Sequence, residues 1–340
     1  MDRFELAARR HWDRVAKPLH SLGKLEDMIV KAATILQRED VRLDRRCALI
    51  FCGDHGVVAQ GVSQSGQEVT ALVARSIAQG TGNINLMAAA AQMDVFPVDA
   101  GMAQPVDGAI DLAVGRGTGD ISQGPAMTHD QAQKALKAGA DLVGDMKKRG
   151  YQLIVTGEMG IGNTTASTAM ACALLGCEAK ELTGRGAGLS NAGLMRKQAA
   201  IERALKVNSP DPSDPVDVIA KVGGFEIAQM AGAFLGGMEH RVPVVIDGVI
   251  SAVAALTAAR LNPEAKNFML PSHMSREPAM TRVMAELGLE PVIHADMALG
   301  EGTGAAALLP LLDMALRVYH GPHTFADLGM DAYVPQEDNT

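Results

Sequence analysis

Short, continuously apolar runs recur along the chain, at residues 47–52, 95–98, 152–156, 242–246, 267–270 and 291–293, each followed at once by polar residues or glycine. Continuous rather than alternating hydrophobicity predicts strands covered on both faces. Between them the period changes to that of a helix. Residues 68–79 place Val69, Leu72, Val73 and Ile77 on one face, and residues 130–149 do the same with Leu136, Val143 and Met146. The second segment opens with Thr128 and Gln131 at capping-box spacing and closes with Lys147, Lys148 and Arg149 before Gly150, so its terminal charges complement the helix dipole. Strands and helices that alternate in this way predict an α/β fold with a mostly parallel six-stranded sheet and helices on both faces. Two segments fall outside the alternation. Residues 1–40 read as helices joined by a break at Lys17-Pro18, and residues 305–330 return to helix and loop; together they are expected to form a smaller helical domain beside a large α/β domain over 41–304. The proline-rich stretch 208–217 is expected as a surface loop and 331–340 as a polar tail.

Composition narrows the class. With 340 residues, 47% hydrophobic and 21% charged, the chain has enough apolar material for a sizeable core and does not read as disordered. Lys and Arg total 31 against 39 Asp and Glu, and a net charge of -8 is the wrong sign for a chain that grips a nucleic acid. The cysteines Cys47 and Cys52, and Cys172 and Cys177, are each five apart, which puts partners on different faces of a strand or helix; buried thiols are expected, not disulfides or a zinc site. The N-terminus has no apolar signal segment, and the most apolar stretch, 244–259, is interrupted by Asp247 and too short for a membrane span, so the expectation is a soluble cytoplasmic protein. Aromatics make up 3% while Gly numbers 36 and Met 19, pointing to a core of small and aliphatic side chains with close backbone approaches.

In an open parallel sheet the ligand sits beyond the carboxyl ends of the strands, so the residues just after each run carry the chemistry. Asp54-His55-Gly56, Asp99-Ala100-Gly101, Gly157-Glu158-Met159-Gly160, Asp247-Gly248, Ser272-His273-Met274-Ser275, and Asp296 with Glu301 come after the six runs in order. One such acid is an ordinary helix cap; acids or hydroxyls after every run point to a crevice for a polyhydroxylated or cationic ligand. The segment from Gly157 to Thr165, at a predicted strand-to-helix junction, is suited to collecting a phosphate on backbone amides, and 184–188 and 300–304 add two glycine-rich turns. The dinucleotide and P-loop fingerprints are missing, which turns the reading from hydride transfer and ATP hydrolysis toward a nucleotide monophosphate. His320 and His323 flank Gly321-Pro322, which keeps a regular helix from presenting both to one metal, and no metal site is expected. His55 is open to either a catalytic or a structural reading.

Taken together, Ser21-Leu22-Gly23-Lys24-Leu25-Glu26, Asp54-His55-Gly56-Val57, Gly61-Val62-Ser63 with Gln67-Glu68-Val69-Thr70, the segment Gly157 to Thr165, Gly223-Gly224-Phe225-Glu226 and Leu299-Gly300-Glu301-Gly302-Thr303-Gly304 resemble the nicotinate-nucleotide:dimethylbenzimidazole phosphoribosyltransferases of cobalamin lower-ligand synthesis, over most of the chain. The resemblance implies a Rossmann-like large domain, a small domain drawn from both chain ends, a homodimer and no cofactor. It also implies transfer of the 5-phosphoribosyl group of nicotinate mononucleotide to a benzimidazole nitrogen, with inversion to an α-glycosidic nucleotide and release of nicotinate. By the same resemblance Glu301 is the general base, a role worth roughly 10^2 to 10^4 in rate. Gly160, Gly186 and Ser275 hold the phosphate, Glu158 serves the ribose or the local electrostatics, Lys197 is a charge partner, and Ser63 and Gln67 contact the acceptor. In this chain Gln64-Ser65-Gly66 stands where many relatives carry an aromatic followed by a proline. A lost stacking partner is worth about 0.5 to 1.5 kcal/mol, so a different benzimidazole, a purine or a phenolic acceptor stays open. The competing reading is a nucleotide-binding regulatory protein that kept the fold and lost the chemistry.

Overall fold

The computed structural model describes residues 2–334. Helices α1 (Arg3–Arg14) and α2 (Lys24–Leu36) precede strand β1 (Arg46–Gly53); α3 (Glu68–Ala78) and α4 (Asn83–Ala90) lead to β2 (Asp94–Gly101) and β3 (Ile110–Asp111). Then α5 (His129–Lys148) and β4 (Leu153–Met159) are followed by α6 (Asn163–Leu175), α7 (Ala179–Leu182), α8 (Asn191–Asn208), α9 (Pro215–Val222) and α10 (Phe225–His240). The chain continues through β5 (Val244–Ile246), α11 (Val249–Leu261), β6 (Met269–Pro271), α12 (Ala279–Leu287) and α13 (Thr303–Tyr319). The sheet has six strands in the order β3-β2-β1-β4-β5-β6, and every pairing is parallel. The order reverses direction between β1 and β4, which opens a crevice at their carboxyl ends.

Five of the six predicted runs are strands. The sixth, 291–293, is not; Ile293 makes an isolated bridge to His273, and the sixth strand is β3 at the far edge. Two residues against the end of β2 are too short to leave a periodic signal. The expected tail over 331–340 lies partly outside the described residues, and 331–334 are in neither helix nor strand.

Alternation along β1 divides the interior in two. Cys47, Leu49 and Phe51 face α5, α6, α10 and α11, whereas Ala48, Ile50 and Cys52 face α1, α2, α3, α4 and α13. Both faces are therefore dry, as the unbroken hydrophobic runs require. The chain ends meet on the second side: Trp12 packs against Tyr319 with ring centroids 5.0 Å apart, and Val15 bridges to Thr324. The four cysteines are unpaired thiols, and burial pushes the Cys172 thiol up to about 12.

Helix α5 has the predicted capping box, with the Thr128 hydroxyl accepting from the Gln131 amide and the Gln131 side chain accepting from the Thr128 amide. For α3 the predicted face is turned: Thr70, Ala71, Ala74 and Ile77 are buried, and Leu72 is 53% exposed. Small side chains let α3 lie close to the sheet, and the larger ones are displaced outward. The same device joins α5 to α10. A Cβ added at Gly232 would stand 1.9 Å from the Leu136 carbonyl oxygen, and one at Gly139 1.9 Å from that of Gln229. Gly232→Ala is expected to destabilise the chain by about 1–3 kcal/mol through overpacking, read as a lowered denaturant midpoint; an unchanged midpoint would show that the two helices separate freely.

Candidate active site

Beyond the carboxyl ends of β4, β5 and β6 lies a cavity of about 260 Å³. Two helices begin on its wall, α6 after Gly162 and α11 after Gly248, neither with a side-chain cap from its own N-cap residue. Helix starts concentrate partial positive charge and outward-facing N–H groups, which suits a phosphate. Gly160 and Gly186 contribute backbone to the wall, and Ser275 contributes its side chain, its Oγ accepting from the Glu277 amide at 3.4 Å. Gly186 takes the left-handed conformation at φ 50° and stands beside Thr164, the second residue of α6.

Against this positive end stand three buried carboxylates. Glu158, the penultimate residue of β4, accepts from the Asn163 side-chain amide. Burial, reinforced by Asp247, Glu226 and Glu301, pushes its carboxyl up to about 8 despite that hydrogen bond. Asp247 comes directly after β5 and engages both oxygens at the start of α13: Oδ2 accepts from the Gly302 amide at 3.1 Å and Oδ1 from the Ala305 amide at 2.9 Å. Burial raises its carboxyl, while His273 opposes the rise. Glu301 lies in the turn just before α13 with its Oε2 buried and without a hydrogen-bond partner. Burial raises this carboxyl too, opposed by the Ile84 amide and the Asn83 side chain at the start of α4. Glu301 adopts the left-handed conformation at φ 59°, a state that costs a non-glycine residue of order 1–3 kcal/mol.

Two glycines admit this arrangement. A Cβ at Gly157 would come within 2.8 Å of the Glu301 carbonyl carbon, and one at Gly300 within 2.6 Å of the Glu158 carboxylate. The β4 end and the 300–302 turn therefore touch backbone to backbone, bringing Glu158 and Glu301 to one cavity wall.

Of the residues singled out from sequence, Glu158, Glu301, Gly160, Gly186 and Ser275 line this cavity together. Ser63 lines an adjoining hollow of about 80 Å³ with Gln64 and Arg185, and the two spaces share the turn from Gly160 to Thr164. Gln64 reaches across to the carbonyl oxygens of Ala187 and Gly188. Gln67 lines neither space; its amide donates to the His55 carbonyl at 2.8 Å. Lys197 is behind the wall and 0% exposed, donating to Thr164 Oγ1 at 2.9 Å and to the Gly184 carbonyl at 3.2 Å. Burial lowers its ammonium to about 8, with Glu277 acting in the opposite sense. It is no solvated lysine but a brace between α6 and the 184–188 turn. His55 is likewise away from the cavity, its Nε2 bonded to Glu226 Oε1 at 2.6 Å in the interior, which makes the histidine structural.

Asp247, His273 and Glu277 also line the cavity, and the sequence assigned them no individual role. The first two do stand just after predicted strands, the signal by which they could have been found. Among the described residues no group of three or more His, Cys, Asp or Glu side chains is disposed to hold a metal ion.

Comparison with known proteins agrees on one family. A family model described as phosphoribosyltransferase matches residues 2–330. A protein of Acetivibrio thermocellus named nicotinate-nucleotide--dimethylbenzimidazole phosphoribosyltransferase is 43% identical over 330 residues, covering 96% of this chain and 94% of that one. A protein of the same name from Chloroflexus aggregans is 43% identical, covering 97% and 94%. Among solved structures, that of CobT from Thermus thermophilus superposes with a TM-score of 0.92 at 38% identity, covering 98% of this chain and all of that one.

The carboxyl of Glu158 gives the site a measurable pH signature. Raised from 4.5 to about 8, it retains in the folded chain a proton that the unfolded chain has released. Its stabilising contribution is fully present below pH 4.5 and is lost as the pH rises toward 8. Glu158→Gln, neutral at every pH, is expected to flatten the fall in denaturant midpoint between about pH 5 and 8; parallel curves for the two proteins would show that Glu158 titrates normally.

Proposed function

The chain belongs to the phosphoribosyltransferase family, and from that membership we propose that it moves the 5-phosphoribosyl group of nicotinate mononucleotide onto a nitrogen of 5,6-dimethylbenzimidazole or a related flat base, releasing nicotinate. The observation that carries the reading is the position of Glu301: it lines a cavity shared with the N-termini of α6 and α11, and one of its buried carboxylate oxygens has no partner.

The chemistry asks for little else. The leaving pyridinium nitrogen bears positive charge and departs as a neutral ring, so it needs no acid and no chelated divalent cation. The incoming base sheds its N–H as the glycosidic bond forms, and Glu301 takes that proton. Its raised carboxyl lies closer to neutral pH than a free glutamate, which improves proton transfer at working pH. Inversion at the anomeric carbon requires the two rings on opposite faces of the ribose. Holding them in line, with developing charge on the sugar facing carboxylates, supplies much of the remaining rate.

Gly160, Gly186 and Ser275 bind the phosphate, and Glu158, its carboxyl raised to about 8, faces the ribose and hydrogen-bonds its hydroxyls. Lys197, fixed to Thr164 and Gly184, acts by holding the phosphate turn rather than by touching substrate. Ser63 and Gln67 contact the acceptor, Gln67 once it exchanges the His55 carbonyl for ligand. The adjoining hollow sets Ser63, Gln64 and Arg185 beside Val62, Ile161 and Leu189, a mixed lining, and a purine or phenolic acceptor is the alternative to dimethylbenzimidazole. The protein acts as a homodimer, a reading supported by Leu72 on α3 and Leu86 on α4, which are 53% and 68% exposed. It works in the cytoplasm, consistent with four unpaired cysteines; no helix among the described residues is long and apolar enough to cross a membrane.

Glu301→Gln is expected to lower kcat by about 10^2-fold or more with little change in KM for nicotinate mononucleotide, because the amide keeps shape and cannot accept the proton. Unchanged turnover at saturating substrates removes Glu301 from the base role. Turnover is expected to persist fully in excess chelator; a Mg2+ requirement points instead to a pyrophosphate donor. Both are read from released nicotinate and from the anomeric configuration of the product, and absence of nicotinate release with every base tried would leave a binding protein.

A further inference from the structure

We propose that Asp247 is the positioning residue for Glu301: its carboxylate clasps the first turn of α13 and thereby fixes both the place of the Glu301 carboxylate and the charge beside it. The proposal rests on the reading of Glu301 as the base.

The argument begins with the backbone. Gly300, Glu301 and Gly302 are three consecutive left-handed residues at φ 83°, 59° and 80°. Glycine adopts this state freely, but glutamate does not, so residue 301 stays there only if its surroundings over-determine it. Two contacts do so. On one side, β4 lies against the turn with Gly157 at the contact, where any Cβ would come within 2.7 Å of the Gly302 nitrogen. On the other, Asp247 bonds the amides of Gly302 and Ala305, spanning the residue after Glu301 and the third residue of the helix. This is the work of an N-cap done from another part of the chain, because Gly302 at the N-cap position has no side chain to do it.

Asp247 is itself held. Its amide donates to Ser251 Oγ at 3.1 Å, that hydroxyl shares a hydrogen bond with Thr156 Oγ1 on β4 at 2.7 Å, and the Ser272 hydroxyl lies 3.4 Å from its carbonyl. The clasp thus links the ends of β4, β5 and β6 to the catalytic turn. His273, just beyond β6, packs so closely on α13 that a Cβ at Gly304 would stand 2.0 Å from its Nδ1. The groups acting on the Glu301 carboxyl are Asp247 after β5 and, from α4, the Asn83 side chain and Ile84 amide; Glu301 in turn raises the Glu158 carboxyl on β4, and His273 acts on Asp247.

Asp247→Asn keeps one acceptor oxygen, loses the second and removes a negative charge next to Glu301. Kinetics are measured for this variant, for Glu301→Gln and for the double variant, with nicotinate mononucleotide and dimethylbenzimidazole as probes. Asp247→Asn is expected to lower kcat by about 10- to 100-fold with KM for the donor little changed, and to move the acid limb of the kcat profile to lower pH, since a negative neighbour that raised the Glu301 carboxyl is gone. In the Glu301→Gln background the same substitution is expected to change the residual kcat less than about two-fold, because there is no base left to position. Equal losses in both backgrounds, or an unmoved acid limb, overturn the proposal and make Asp247 merely structural. Wild-type kcat in Glu301→Gln overturns the base reading itself, a result distinct from either. Should Asp247→Asn not fold, Asp247→Ser takes its place in the same cycle with the same two readouts.

Discussion

Burying acids side by side is the constraint around which the open end of this sheet is organised. A charged carboxylate out of water costs several kcal/mol unless neighbours compensate it, and Glu158, Asp247 and Glu301 share one wall. Compensation comes from main-chain N–H groups at helix starts, directed at Asp247 by α13 and approaching Glu301 from α4. The remainder shows as carboxyls shifted upward, each chiefly by burial. The cavity before substrate arrives therefore carries fewer full negative charges than its acids suggest. Acids and helix starts are interleaved along this wall, Asp247 at the start of α13 and Glu158 beside the start of α6, so a donor with a cationic ring and an anionic phosphate finds groups of both kinds within one cavity.

That geometry is possible only because the backbone comes unusually close to itself. The Gly157 and Gly304 positions admit the 300–302 turn and the His273 ring at distances no side chain would allow, and glycine-mediated contact between α5 and α10 keeps the opposite layer equally thin. A composition with 36 glycines and 3% aromatics is the chemical expression of this architecture. Its interior is filled by backbone and small aliphatic groups rather than by large rings.

The strands were legible because burial on both faces leaves unbroken apolar runs, and α5 because its caps lie in adjacent sequence. The edge strand β3 was not, since two residues carry no period. The buried face of α3 departs from its apolar face at Leu72 because hydrophobicity does not say that a helix will seat itself on its small side chains. At the site, the acids after the strands were visible as a class. What sequence could not order was their division of labour: Glu301 and Asp247 look alike in one dimension and differ only in that Asp247 has its oxygens filled. Lys197, a charge partner by the resemblance, is fully buried and donates to the Thr164 hydroxyl and the Gly184 carbonyl, contacts between distant segments that the sequence does not order. Gln67 donates to the His55 carbonyl in the unliganded chain, a contact that no spacing encodes.

Trp12 is the single tryptophan, and it is packed at the seam where the first helix and the last are brought together, 5.0 Å from the ring of Tyr319. Intrinsic emission excited at the indole band is thus a report from the junction of the two chain termini, remote from the catalytic crevice. Release of that seam by heat, truncation or a destabilising change exposes the indole to water and registers as a red shift, and because Trp12 shares one core with Ala48 and Ile50 of β1 the same signal reports loosening of that face of the sheet.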